Sequence, residues 1–168
     1  SGVDTICSGT SSSLVLSGSV GVISWQKSAN WASNSPTWTL VTGASNSLST
    51  GTLTSSTAFR AILTVSTCNT ILSTDHFIVT VNPISIAGTV AVNDATGNLV
   101  CMNGSKTLKV TGNVGSVQWQ SSTNNTTFSN INGATNATYT TPNLSSTAYY
   151  RASVALGNCD AVFSPSFA

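Results

Sequence analysis

Charge is what this chain has least of. Its 168 residues include five Lys or Arg, four Asp or Glu and one His, so charged residues make up 5% and the formal net charge is +1. A surface this poor in cations offers no field for a phosphate backbone or for anionic lipid heads, so neither nucleic acid nor membrane insertion is expected. Glu is missing altogether, and the carboxylates are Asp4, Asp75, Asp94 and Asp160. Four scattered aspartates do not suit paired-carboxylate hydrolysis. The single histidine, His76, reads as an ordinary strand or turn residue, and there is no nucleophile elbow, phosphate loop or dinucleotide fingerprint. No catalytic residues and no cofactor are therefore expected. No Cys-x-x-Cys pair exists, which disfavours zinc and leaves no metal site expected. Long apolar runs and basic amphipathic leaders are also missing, which fits a piece of a larger exported protein.

What is present is a repeat. Cys7 leads through Leu14, Leu16 and Gly18 to Trp25, and Cys101 leads through Leu108, Val110 and Gly112 to Trp119, with 18 residues from Cys to Trp in both. Phe59-Arg60-Ala61 precedes Cys68, and Tyr150-Arg151-Ala152 precedes Cys159, with 8 residues from Arg to Cys in each. A module repeated in tandem is usually selected for stacking, reach or multivalency. The repeat divides the chain into a module at 1–83, with its first strand largely missing, and a module at 84–168, with its last strand truncated.

Thr, Val, Ile and aromatics alternate with small polar residues, while the near absence of Glu, Lys and Arg removes the usual helix surface. The reading is all-β. In the first module, strands are expected at 12–16, 22–26, 38–41, 47–49, 58–65 and 76–81. In the second they are expected at 84–92, 107–110, 116–120, 128–131, 138–140 and 148–154. Alternation turns Phe59, Ala61, Leu63 and Val65 inward. Trp25, Trp38, Phe59, Trp119, Phe128 and Tyr150 form the expected structural core. The strand around Leu14 is expected to run antiparallel to the one around Phe59, and an incomplete sheet edge would recruit a strand from a neighbouring molecule.

Four cysteines allow three pairings. The repeat selects Cys7 with Cys68 and Cys101 with Cys159, one staple per module, which implies an oxidising compartment. Arg60 and Arg151 recur at matching positions, which suits stems lying on the sheet or ion pairs with Asp75 or Asp160. The loop after Trp25 is four residues longer than its counterpart: Trp25 to Trp38 spans 13 residues and Trp119 to Phe128 spans 9. Trp31 in that loop is the candidate ligand-binding residue, since an indole among Asn, Ser and Thr can stack on a sugar ring. The competing reading folds it down over the sandwich. A structural calcium at Asp94, helped by Asn93 and Asn98, is the weaker metal alternative.

The run Cys101-Met102-Asn103-Gly104, the run from Gly112 to Ser122, Phe128-Ser129-Asn130-Ile131-Asn132-Gly133 and Tyr149-Tyr150-Arg151-Ala152 resemble immunoglobulin-like repeats of large Bacteroidetes surface proteins. These include gliding-motility adhesins exported by the type IX secretion route. The resemblance implies tandem immunoglobulin-like antiparallel sandwiches at the cell surface, in adhesion or display. The implied partners are neighbouring repeats of the same polypeptide, a surface glycan or another adhesion ligand, and strand edges of like chains.

Overall fold

The computed structural model describes residues 2–43, 45–66, 69–72, 75–93 and 99–168. These form fifteen strands and no helix. The chain divides into two compact units, Ser1–Pro83 and Ile84–Ala168.

Unit 1 opens on β1 (Gly2–Cys7), then β2 (Ser13–Val15), β3 (Val22–Ser28), β4 (Thr39–Val41), β5 (Ser47–Ser49), β6 (Thr57–Ser66), β7 (Asn69–Leu72) and β8 (Phe77–Asn82). One sheet has the order β1-β8-β6-β3-β4, with β7 also on β6; the other is the pair β2-β5. The ladder between β3 and β6 sets the core, because it puts Trp25 opposite Ala61 and leaves the indole the space a larger residue would take. Trp25, Phe59, Ala61 and Val79 of the large sheet pack with Leu14, Leu48 and Leu53. The buried indole N–H of Trp25 donates to the Ser45 carbonyl at 2.9 Å, so no polar group is stranded.

Unit 2 repeats the construction. Its strands are β9 (Thr89–Val92), β10 (Thr107–Thr111), β11 (Ser116–Ser122), β12 (Ser129–Asn130), β13 (Thr138–Thr140), β14 (Tyr149–Ala155) and β15 (Val162–Phe163). The sheets are β13-β10-β9 and β12-β11-β14-β15. Trp119 lies opposite Ala152, and its N–H donates to the Asn136 carbonyl at 2.9 Å. Leu108, Val110, Val117, Tyr150 and Val154 close the core around it. Gly21 and Gly115 start β3 and β11 at φ +121° and +125°. A Cβ at these positions would lie 2.8 Å from the Thr64 carbonyl oxygen and 2.7 Å from the Ala155 carbonyl. Only glycine lets the paired backbones come this close.

Several sequence expectations change here. Residues 2–7, read as a short opening before a missing first strand, form β1, which pairs in parallel with β8 from Gly2↔Phe77 to Cys7↔Asn82. The strand expected over 84–92 is confined to Thr89–Val92, because Gly88 turns the chain at φ +70° against the Thr111 carbonyl. β2 does not run beside β6. It pairs with β5 and lies across the core. Val65 is 53% exposed instead of inward, next to the register shift in the β6–β7 ladder between Thr64 and Ser66. Trp38 and Phe128 join neither core cluster. Cys101 is a free, exposed thiol, which overturns the pairing with Cys159: it begins a surface turn whose Gly104 N–H returns to its own carbonyl, whereas Cys159 is buried. Cys7 and Cys159 each take part in a disulfide. The proposed partner Cys68 lies outside the described residues.

Candidate functional site

The residue type repeated most conspicuously outside the core is arginine, and the outer face of each large sheet explains why. Arg60 sits directly across from Gln26, and Arg151 across from Gln120. The Arg60 Nε–H donates to Gln26 Oε1 at 2.9 Å, and the Arg151 Nε–H to Gln120 Oε1 at 2.7 Å. Each guanidinium then lies over an aromatic ring: Arg60 over Trp38 at 4.1 Å, and Arg151 over Phe128 at 4.0 Å and Phe163 at 4.1 Å. Trp38 and Phe128 are thus half-buried shelves on the outer face, bound by cation–π attraction. A guanidinium held by a neutral amide and a ring face is a structural clamp, and it appears once per unit.

The loop after the second of these strands is clamped in both units by one asparagine. Ser28 Oγ donates to Asn30 Oδ1 at 2.9 Å, and the same oxygen accepts the Thr37 N–H at 2.9 Å. In unit 2, Ser122 Oγ donates to Asn124 Oδ1 at 2.9 Å, and that oxygen accepts the Thr127 N–H at 2.9 Å. Asn30 to Thr37 is seven residues and Asn124 to Thr127 is three. The four extra residues therefore lie between two fixed ends, and Trp31 is among them, half-buried.

A third feature belongs to unit 1. A cleft of about 440 Å³ opens between β2 and the large sheet, with Leu14, Leu16, Trp25, Phe59 and Phe77 as apolar wall. Arg60, Asp75 and His76 also line it. At the matching level of unit 2, Tyr139 takes the place of Leu48 opposite the strand leucine, with ring centroids 5.8 Å from those of both Trp119 and Tyr150. Burial pushes the Tyr139 and Tyr150 phenols above their usual range, and the neighbouring Tyr139 adds to the shift at Tyr150.

His76 is half-buried, with its ring centroid 6.1 Å from that of Trp38. Asp4 accepts from Ser12 Oγ and from the Thr5 N–H. Asp160 is exposed. Asp94 and Asn98, named for calcium, lie outside the described residues, and among those described no three His, Cys or carboxylate groups gather. Sequence reasoning did not find Gln26, Gln120, Asn30 and Asn124. The signal was present as Trp-Gln followed by Ser-x-Asn at one spacing in both halves.

Two units built from one set of strands, each with its own core and its own arginine clamp, define a tandem all-β repeat protein. The chain belongs to the family described as a domain of unknown function (DUF8696), which matches it twice, over residues 1–83 and 86–168. No curated protein matches it. A solved structure described as a Ca2+-stabilized adhesin that helps an Antarctic bacterium reach out and bind ice is similar at 14% identity and a TM-score of 0.45. The similarity covers 98% of this chain and 45% of that one, so the chain spans less than half of its length.

Proposed function

We propose that the chain is a non-catalytic segment of a large extracellular bacterial adhesin, a spacer or adhesive repeat for surface attachment. The observation that carries this reading is duplication of the internal clamps: Gln26-Arg60-Trp38 and Gln120-Arg151-Phe128 spend the repeated polar and aromatic residues on holding each module together. Residues kept for a ligand need not recur in both copies; residues kept for a scaffold do. An uncharged Ser, Thr and Asn surface and disulfide-bonded Cys7 and Cys159 suit an oxidising, external setting. On the resemblance given above, the modules are immunoglobulin-like and the parent protein is of the Bacteroidetes gliding-motility type, exported by the type IX route.

In-frame removal of residues 1–168 from the parent polypeptide is expected to reduce attachment of the cells that display it. Undiminished attachment would overturn the reading. A glycan array with the chain and with Trp31→Ala separates the two roles. Binding lost in the variant assigns the first module to carbohydrate recognition through the Trp31 loop, and no binding by either protein favours the spacer.

A further inference from the structure

Each unit carries a groove at the same place in its fold, and hydroxyl groups make up most of its wall. In unit 1 a groove of about 430 Å³ runs between the end of β3, the start of β4 and residues 52–57. In unit 2 a groove of about 440 Å³ runs between the end of β11, the start of β12 and residues 142–148. Two matches show that these are one site repeated. Leu53 in the first groove bridges Thr10, and Leu144 in the second bridges Gly104; these partners stand three residues after Cys7 and Cys101. Across each groove, Thr37 and Thr127 are the residues whose N–H groups are held by the Asn30 and Asn124 side chains.

The frame recurs while part of the lining changes. Lys27, Ala29 and Thr57 of unit 1 are matched by Ser121, Thr123 and Ala148 of unit 2. A rigid scaffold with variable loops is how a fold presents ligand sites. Ser and Thr supply seven of the eleven lining residues in unit 1 and eight of the thirteen in unit 2, and Lys27 is the single charged side chain lining either groove. The exposed hydroxyls of Thr52, Thr54 and Ser55, and of Ser145, Ser146 and Thr147, bond to no described residue. Each can both donate and accept. Such walls suit a ligand that brings hydroxyls of its own, and the absence of any ion partner in the second groove selects a neutral one. Leu53 and Leu144 offer an apolar contact for the C–H face of a sugar ring. The volumes fall in the range of small-molecule sites.

We propose that each unit binds a short neutral saccharide in this groove, so that the chain holds two equivalent sites. Trp31 directly follows Asn30, so the site in unit 1 has an indole beside its wall and the site in unit 2 has none. The inference rests on the adhesive form of the function proposed above and gives it a second, matching point of contact.

The test is NMR on the isotope-labelled whole chain, titrated in turn with cellobiose, maltose, lactose and di-N-acetylchitobiose at millimolar concentration. At least one is expected to shift the amides of residues 52–55 and 145–147 together. Thr52→Val with Thr54→Val removes two exposed hydroxyls and keeps the side-chain shape. It is expected to raise the Kd of unit 1 by about threefold to tenfold or more and to leave unit 2 as it was. Ser145→Ala with Ser146→Ala is expected to do the reverse. Shifts in one unit alone, no shift in either, or variants that bind like the parent chain overturn the proposal. Shifts confined to residues 31–36 would assign binding to the Trp31 loop, which overturns the grooves and leaves the adhesive reading standing. Undiminished attachment of cells lacking the segment would remove that reading, while the titration still reports on the grooves.

Discussion

Arg151 lies between two rings where Arg60 has one, and this difference can be measured. Cation–π attraction at a partly desolvated site contributes about 0.5–2 kcal/mol. A double-mutant cycle of Arg151→Met with Phe128→Leu is expected to show coupling of that size by urea denaturation; additive losses would reject the clamp. Sequence spacing made the two arginines legible as a matched pair. It could not show their partners, because an Arg followed across a ladder by Gln is visible only once register is known. Trp38 and Phe128 were misread as core for the same reason: an aromatic just before a short strand can fall on either face. Cys101 gives a second test at this scale. Alkylation without reductant is expected to label Cys101 and to spare Cys7 and Cys159.

The start of β11 lies close against β14. An Ala at Gly115 would put its Cβ 2.7 Å from the Ala155 carbonyl in a backbone region that L residues rarely adopt. Gly115→Ala is expected to cost about 1–3 kcal/mol by thermal or urea unfolding. Gly133→Ala, which meets nothing within 4 Å, carries only the backbone term and should cost less. The β13 and β14 tyrosines add a pH dependence. Both phenols titrate above 10.0 in the folded protein, so above that pH the unfolded chain ionises while the folded one stays protonated. Stability is then expected to fall as pH rises through 10.0 toward the raised folded values, and the double variant Tyr139→Phe, Tyr150→Phe should flatten that fall. Most strands were legible as alternating runs. β1, β7 and β15 were not: β1 and β15 follow no apolar alternation long enough to read, and β7 is four residues placed by its ladder to β6.

At the scale of the whole chain, five cations and four anions leave little for salt to screen. Any attachment or self-association of the chain is expected to change by less than about twofold between 50 mM and 500 mM NaCl in a sedimentation or surface-binding assay. A steep salt dependence would mean that charge drives contact after all. The Trp31 insertion was legible as a length difference, and the asparagine that brackets it left a trace as the Ser-x-Asn repeated after Trp-Gln, which marks the residue but not the N–H groups that its side-chain oxygen accepts from. The parallel pairing of β1 with β8 carries a mechanical consequence. Gly2 and Asn82 stand at opposite ends of one ladder of six paired residues. A pull between those two points drags β1 and β8 past each other and loads the whole row of backbone bonds at once. Two antiparallel strands held at the same end would instead unzip one bond at a time. Under such a pull, β1 and β8 form the shear clamp of the first unit.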